Sequence, residues 1–183
     1  MSEQRAAGLD EADVETLFVR LEKPVHAVVY RWLWNHEDAR EVVQEAFVRL
    51  WHRRADVRPA TVEALVYRIA LNLAASRRRK KKLWRFLGIE ALADAPSAAP
   101  IADETLGRAQ ETARLREAVE RLPDDLRRVV VLCETAELTH AAIGEVLGIP
   151  AGTVGSRRHR ALKLLRQTLD TTAPSDDSEE ARS

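Results

Sequence analysis

The chain has 183 residues, 45% of them hydrophobic and only 5% aromatic, and a formal net charge of zero. That length holds one ordinary domain or two small ones with modest helical cores. A single cysteine, Cys133, excludes an internal disulfide, and the apolar runs are far too short to span a bilayer, so a soluble, cytoplasmic protein is expected.

Seven glycines and seven prolines lie among runs rich in Ala, Leu, Arg and Glu, which are good helix formers, so the expected fold class is all-α. Residues 1–22 carry six acids against two cations, an acidic start. Helical periodicity begins at about Leu17 and continues to Trp34. The segment Ala39 to Arg53, AREVVQEAFVRLWHR, then places Val42, Val43, Ala46, Phe47, Leu50 and Trp51 on one helical stripe. Its opposite face carries Arg40, Glu41, Gln44, Glu45 and Arg49, an ordinary solvated surface unless a partner claims it. RADVRPAT, residues 54–61, reads as a loop, with Pro59 pushing its neighbour out of the helical region.

A third helix follows in VEALVYRIALNLAASRRRKKK. The expected inward set is Leu65, Val66, Ile69, Ala70 and Leu73, while Arg68, Asn72 and Ser76 recur every four residues along another face. That face runs into Arg77, Arg78, Arg79 and the lysines that follow, so residues 76–90 are net +6. Six consecutive cations repel one another, and a polyanionic partner is the better reading of them. Residues 86–107, with Pro96, Pro100 and many small residues, read as a flexible linker between two small helical domains, 10–85 and 108–171.

The second domain resolves into short helices with breaks at Leu122-Pro123, Thr135 to Thr139 and Gly148 to Pro150. Cys133 sits among Val129, Val130 and Leu132 as a small core residue. Thr139 is a good N-cap for a helix burying Ala142, Ile143, Val146 and Leu147, Gly148 is a natural helix terminator, and Pro150 suits the first turn of the next helix. Helix, short turn, helix is the helix-turn-helix layout. Gly152 and Gly155 at the start of the second helix let its backbone approach a phosphate. Projection at about 100° per residue gathers Val154, Ala161, Leu162, Leu165 and Leu169 on one side and Ser156, His159, Arg160 and Lys163 on the other, the expected major-groove face. Arg157 flanks it, whereas Arg158 falls within the apolar stripe, where its stem packs and its guanidinium snorkels or pairs with an acid. Residues 150–169 hold five cations and no acid, and residues 172–183 form an acidic tail expected to be disordered.

The five histidines, His26, His36, His52, His140 and His159, have neither HExxH spacing nor a CxxC beside them, so neither a metal nor a cofactor is expected. With no glycine-rich phosphate loop and no nucleophile-base pattern, an enzyme is disfavoured and no small-molecule substrate is implied.

Three blocks, in order, resemble the extracytoplasmic-function group of bacterial sigma factors. DAREVVQEAFVRLW (Asp38 to Trp51) is similar to the family's block for binding core RNA polymerase. LVYRIALNLAASRRR (Leu65 to Arg79) is similar to its promoter-melting and minus-ten-reading block, and LREAVERLPDDLRRVVVL with LTHAAIGEVLGIPAGTVGSRRHRA to its minus-thirty-five-reading domain. The resemblance implies that Asp38, Glu41, Gln44 and Glu45 meet the polymerase, with Asp38, Glu41 and Gln44 on the surface. It further implies that Arg68, Asn72, Ser76, Arg77, Arg78 and Arg79 engage the minus-ten element, and that Thr153, Ser156, Arg157, His159, Arg160 and Lys163 engage the minus-thirty-five element. Departures are Arg40 where an acid is usual, Glu41 for Asp, Leu65 for Trp, Ser76 for Asp, Gly155 for a basic residue and Arg158 for Leu or Ile. The implied partners are core RNA polymerase, promoter DNA and an anti-sigma factor. A stand-alone helix-turn-helix regulator built on residues 108–169 is the alternative, but it needs neither the Gln44 helix nor the basic Asn72 helix.

Overall fold

The computed structural model describes residues 8–88 and 106–171, and within them every regular element is helical. The expected linker and acidic tail lie largely outside the described residues. The helices are α1 (Glu11–Leu33), α2 (His36–Arg53), α3 (Val62–Phe86), α4 (Leu106–Arg121), α5 (Asp124–Thr135), α6 (His140–Leu147) and α7 (Ala151–Thr171). Short 3-10 turns at Arg54–Asp56 and Pro59–Thr61 occupy the expected loop.

α1 starts earlier than its periodicity suggests because Asp10 and Asp13 form a capping box, each side chain accepting the other's backbone N–H at 2.8 and 3.0 Å. It ends on Trp34, which takes a left-handed conformation (φ 54°) with its side chain buried. The turn leaves Asn35 to cap α2, its Oδ1 accepting the Asp38 N–H at 2.9 Å. α1, α2 and α3 pack on one another around Val25, Val29, Val42, Ala46, Leu50, Val66 and Leu71, and Phe18 meets Phe47 edge-on at 5.0 Å.

The inward face of α3 is rotated about one residue from expectation. Val62, Val66, Tyr67, Ala70, Leu71, Ala74 and Ala75 are buried, whereas Leu65, Ile69 and Leu73 are only half-buried. Three alanines in the buried set let α3 lie close against its neighbours, and Leu65, Ile69 and Leu73 fall to the flank. Burial pushes the Tyr67 hydroxyl up to about 12, with Glu63 adding to the effect.

In the second half, α7 packs on α4, α5 and α6. Thr139 Oγ1 accepts the Ala142 N–H at 3.2 Å, and Gly148 closes α6 in the left-handed region (φ 69°). Pro150 stands just before α7 rather than in its first turn, its carbonyl accepting the N–H groups of Thr153 and Val154. The two halves also touch, α3 against α6 and α1 against α5, so a single apolar core runs through the molecule.

Candidate nucleic-acid interface

Three faces carry the residues singled out from the sequence. On α2, Glu41, Gln44 and Glu45 are exposed, Glu45 pairing with Arg49 one turn on at 2.6 Å. Gln44 borders a shallow apolar groove with Phe18, Phe47, Val48 and Trp51. Asp38 departs from the expectation of a surface residue and is buried. Its carboxylate sits in the first turn of α2, where α3 crosses, and is paired with Arg77 Nε at 3.1 Å and with Lys81 Nζ. A carboxylate removed from water needs such partners, and here two cations of the third helix supply them. Arg77 also pairs with Glu41, so this cation of the basic run ties α3 to α2.

The exposed side of α3 carries Arg68, Asn72, Ser76, Arg78 and Arg79, and the second half engages three of them. Arg68 donates Nε to the Val146 carbonyl at 3.1 Å and Nη2 to the Glu145 carbonyl. Asn72 Oδ1 accepts from Arg128 at 3.3 Å. Arg78 pairs with Asp124 at 3.3 Å and donates to the Glu120 carbonyl. Arg79 donates to Ser76 Oγ at 3.0 Å, and both stay exposed. Beside Arg68 lies a cleft of about 610 Å³ lined by Asp56, Val57, Arg58, Thr61 and Leu65, with Glu145 on its far wall.

On α7, Val154, Ala161 and Leu165 are buried while Ser156, His159, Arg160 and Lys163 are exposed, in the phase expected. Among the described residues, His159, Arg160 and Lys163 have no ion-pair partner. Ser156 Oγ donates to the Thr153 carbonyl at 3.1 Å. Arg157 reaches Asp125 at 3.6 Å, at the start of α5. Arg158 donates Nε to Glu134 at 2.8 Å, and this bond and the carboxylate's charge raise its already high pKa. Cys133 is half-buried, and burial pushes its thiol up, away from the thiolate a nucleophile needs.

Sequence reasoning overlooked two features. A Cβ on Gly144 would come 2.6 Å from the Ile149 carbonyl, so the helix-turn-helix turn needs glycine there, inside α6 rather than at its end. The other is Arg127, fully buried over the face of Trp32 at 4.8 Å, with none of its three guanidinium nitrogens hydrogen-bonded. Burial, reinforced by the charge of Arg78, lowers its pKa to about 10. Nothing in the local sequence marks Arg127 as different from Arg128; only the packing of α5 on α1 does. Among the described residues no three His, Cys, Asp or Glu side chains are grouped to hold a metal, and no helix is long and apolar enough to cross a membrane.

Two family models match the chain, sigma-70 region 2 over residues 17–83 and sigma-70 region 4 over residues 112–165. The ECF RNA polymerase sigma factor SigE of Mycolicibacterium smegmatis is 33% identical over 149 residues, covering 79% of this chain and 57% of that protein. The ECF RNA polymerase sigma factor SigW of Bacillus subtilis is 31% identical over 155 residues, covering 79% of this chain and 82% of that one. Among solved structures, CnrH in complex with the cytosolic domain of CnrY superposes with a TM-score of 0.66 at 24% identity, over 90% of this chain and 92% of CnrH. The sigma factor RpoE of Bartonella quintana, in complex with the anti-sigma factor NepR, gives 0.65 at 20% identity, over 87% and 98%.

Proposed function

The chain belongs to the extracytoplasmic-function sigma factors of RNA polymerase, and from that premise we propose which of its residues carry out promoter-specific initiation. The role is one of binding rather than catalysis, exercised in the cytoplasm where the polymerase works. The first unit spans residues 10–85 and docks on core polymerase through Glu41, Gln44 and Glu45, with the apolar groove beside Gln44 as the contact's centre. Asp38 contributes indirectly, by holding α2 against α3 through Arg77 and Lys81.

The exposed side of α3 takes the minus-ten element as an unstacked single strand. Unstacking a base costs a few kcal/mol, which a cleft for the unstacked base and a cationic track offset. The cleft between residues 56–65 and Arg68 supports that role, and Asn72, Ser76, Arg78 and Arg79 continue from it along α3. The second unit, residues 108–171, reads duplex DNA through α7: Ser156, His159, Arg160 and Lys163 face the groove, and Thr153, Arg157 and the helix's N-terminal N–H groups meet phosphate. CnrH and RpoE are each held by a protein partner in their solved complexes, and an anti-sigma factor is proposed as a partner of this chain too.

One observation carries this reading: two separate faces, an exposed glutamine-bearing one on α2 and an unpaired cationic one on α7, which a stand-alone regulator would not need together. Purified chain added to core polymerase should give run-off transcripts from a subset of a promoter library. Replacing Glu41 and Gln44 with alanine should weaken core binding about tenfold without changing the circular dichroism spectrum. Unchanged core affinity in that variant would remove the α2 assignment.

A further inference from the structure

The last turns of α3 carry side chains that neither the core nor the promoter reading uses. No acid stands between Glu63 and Glu90 in the sequence, and seven cations fall between Arg77 and Arg85. Arg77, Arg78 and Lys81 are drawn into the fold by Asp38, Glu41 and Asp124. Among the described residues Lys80, Lys82 and Arg85 have no acid partner, and Lys80 lies instead over the Trp84 ring at 4.5 Å. Interleaved with these cations are Leu83, Phe86 and Leu87, which are 54, 86 and 55% exposed. The other exposed large apolar residues, Val19, Val48 and Leu115, stand singly on three other helices, as is ordinary for a protein surface. Three of them within five positions form a patch that calls for a partner.

Projected at about 100° per residue, Phe86, Leu83, Leu87 and Trp84 fall in that order within an arc of about 160°. Lys82 borders the arc beside Phe86. Lys81, which pairs with Asp38 of α2, lies on the far side of the helix, so the apolar arc is turned away from α2. We propose that this end of α3 is a peripheral membrane-docking surface: Leu83, Trp84, Phe86 and Leu87 enter the interface of an anionic bilayer, and Lys80, Lys82 and Arg85 meet the lipid phosphates. Two requirements select the occupant. Exposed aliphatic and aromatic groups need an apolar phase, and the unpaired cations beside them need a polyanion; anionic headgroups over acyl chains supply both in one surface. Long lysine and arginine stems let the cations stay at the phosphates while the apolar arc sinks below them. A nucleic-acid strand satisfies the cations, but Leu83 and Leu87 offer it no ring to stack on. The chain's acidic tail, residues 172–183, likewise matches the charge but has no large apolar side chain. A segment of two turns is far too short to cross a bilayer, so it lies on the surface rather than spanning it.

The test is sedimentation of the full chain with extruded vesicles of equimolar phosphatidylglycerol and phosphatidylcholine, compared with vesicles of phosphatidylcholine alone. The chain should bind the anionic vesicles, more weakly as salt is raised, and leave the neutral ones in suspension. Two double variants separate the contributions. Lys82→Gln, Arg85→Gln should lose about thirtyfold in affinity for the anionic vesicles, the effect of two cations near a charged surface. Phe86→Ser, Leu87→Ser should lose about tenfold through the apolar area no longer buried. Acyl chains brominated near the headgroup should quench part of the tryptophan fluorescence, and Trp84→Phe should remove that quenching, since Trp32 and Trp34 are buried in the fold. A chain that does not bind anionic vesicles overturns the proposal. So does a Phe86→Ser, Leu87→Ser variant that binds them as the parent does, or quenching that survives Trp84→Phe. Binding of a random single-stranded oligonucleotide is the competing outcome: it should be the same in the parent and in Phe86→Ser, Leu87→Ser. A loss there as large as the loss on vesicles assigns the apolar turn to nucleic acid and overturns the membrane contact.

Discussion

Arg158 and Arg160 sit two positions apart on α7 and belong to different faces. Arg160 is exposed and unpaired among the described residues, whereas Arg158 turns back to Glu134 on α5. An arginine bidentate to a base contributes about 1 to 3 kcal/mol of discrimination. Arg160→Ala should therefore flatten preference within the minus-thirty-five element at nearly constant melting temperature. Arg158→Leu should keep that preference, because the pair it loses is half-exposed and such pairs contribute little. Competition binding against single-base variants of the duplex reads both, and loss of selectivity in Arg158→Leu would mean that the helical phase is wrong. Asp38 poses the reverse case, a family-matching surface residue that is internal. Asp38→Ala leaves Arg77 and Lys81 facing each other's charge at a buried site and should cost about 3 kcal/mol in urea unfolding. A drop in polymerase binding by that variant then measures fold, not contact.

At the scale of elements, the turn between α6 and α7 rests on glycines with different duties. Gly144 has no space for a Cβ, so Gly144→Ala forces α6 and the Ile149 carbonyl apart and should destabilise by about 1 to 3 kcal/mol, with weaker minus-thirty-five binding. Gly152 has open space and helical geometry, so Gly152→Ala should stabilise by up to about 1 kcal/mol. If the backbone of α7 approaches a phosphate there, the same alanine lowers duplex affinity while raising the melting temperature. Affinity that rises with stability would show that no such approach occurs. The helix boundaries in this region were legible because their signals are local: Thr139 as cap, Gly148 as terminator and Pro123 and Pro150 as breaks each act within a turn of their own position. The phase of α3 was less legible. Its apolar residues nearly encircle the helix, and the choice of Tyr67, Leu71 and the alanines over Leu65, Ile69 and Leu73 depends on how closely α1 and α2 approach.

For the whole molecule, one apolar core takes in residues of both halves, Trp32 of the first and Leu126 and Val130 of the second among them. Two units joined only by a linker would melt separately; units sharing a core melt together. Calorimetry should show one transition for the chain. Two transitions would mean that the halves are independent in solution. The zero net charge of the chain conceals this arrangement. Cations of the basic run face acids of other helices, Arg77 with Asp38 and Glu41 and Arg78 with Asp124, so part of the charge that suggests a polyanion partner is already neutralised within the fold.

The sequence by itself determined the helical class, the breaks between helices, the helix-turn-helix and the solvent-facing side of α7, because periodicity, caps and turn residues act over a few neighbouring positions. It also carried the family, since three ordered blocks of residues are preserved without reference to their packing. Only the tertiary structure decided that Asp38 is internal, that Gly144 is the tight point of the turn, that Arg127 is buried unbonded over Trp32, and that Arg68, Asn72 and Arg78 are occupied by the second half. Each of these depends on a pairing between residues distant in the chain, and whether a charge faces water or another helix is set by that pairing rather than by its neighbours in sequence.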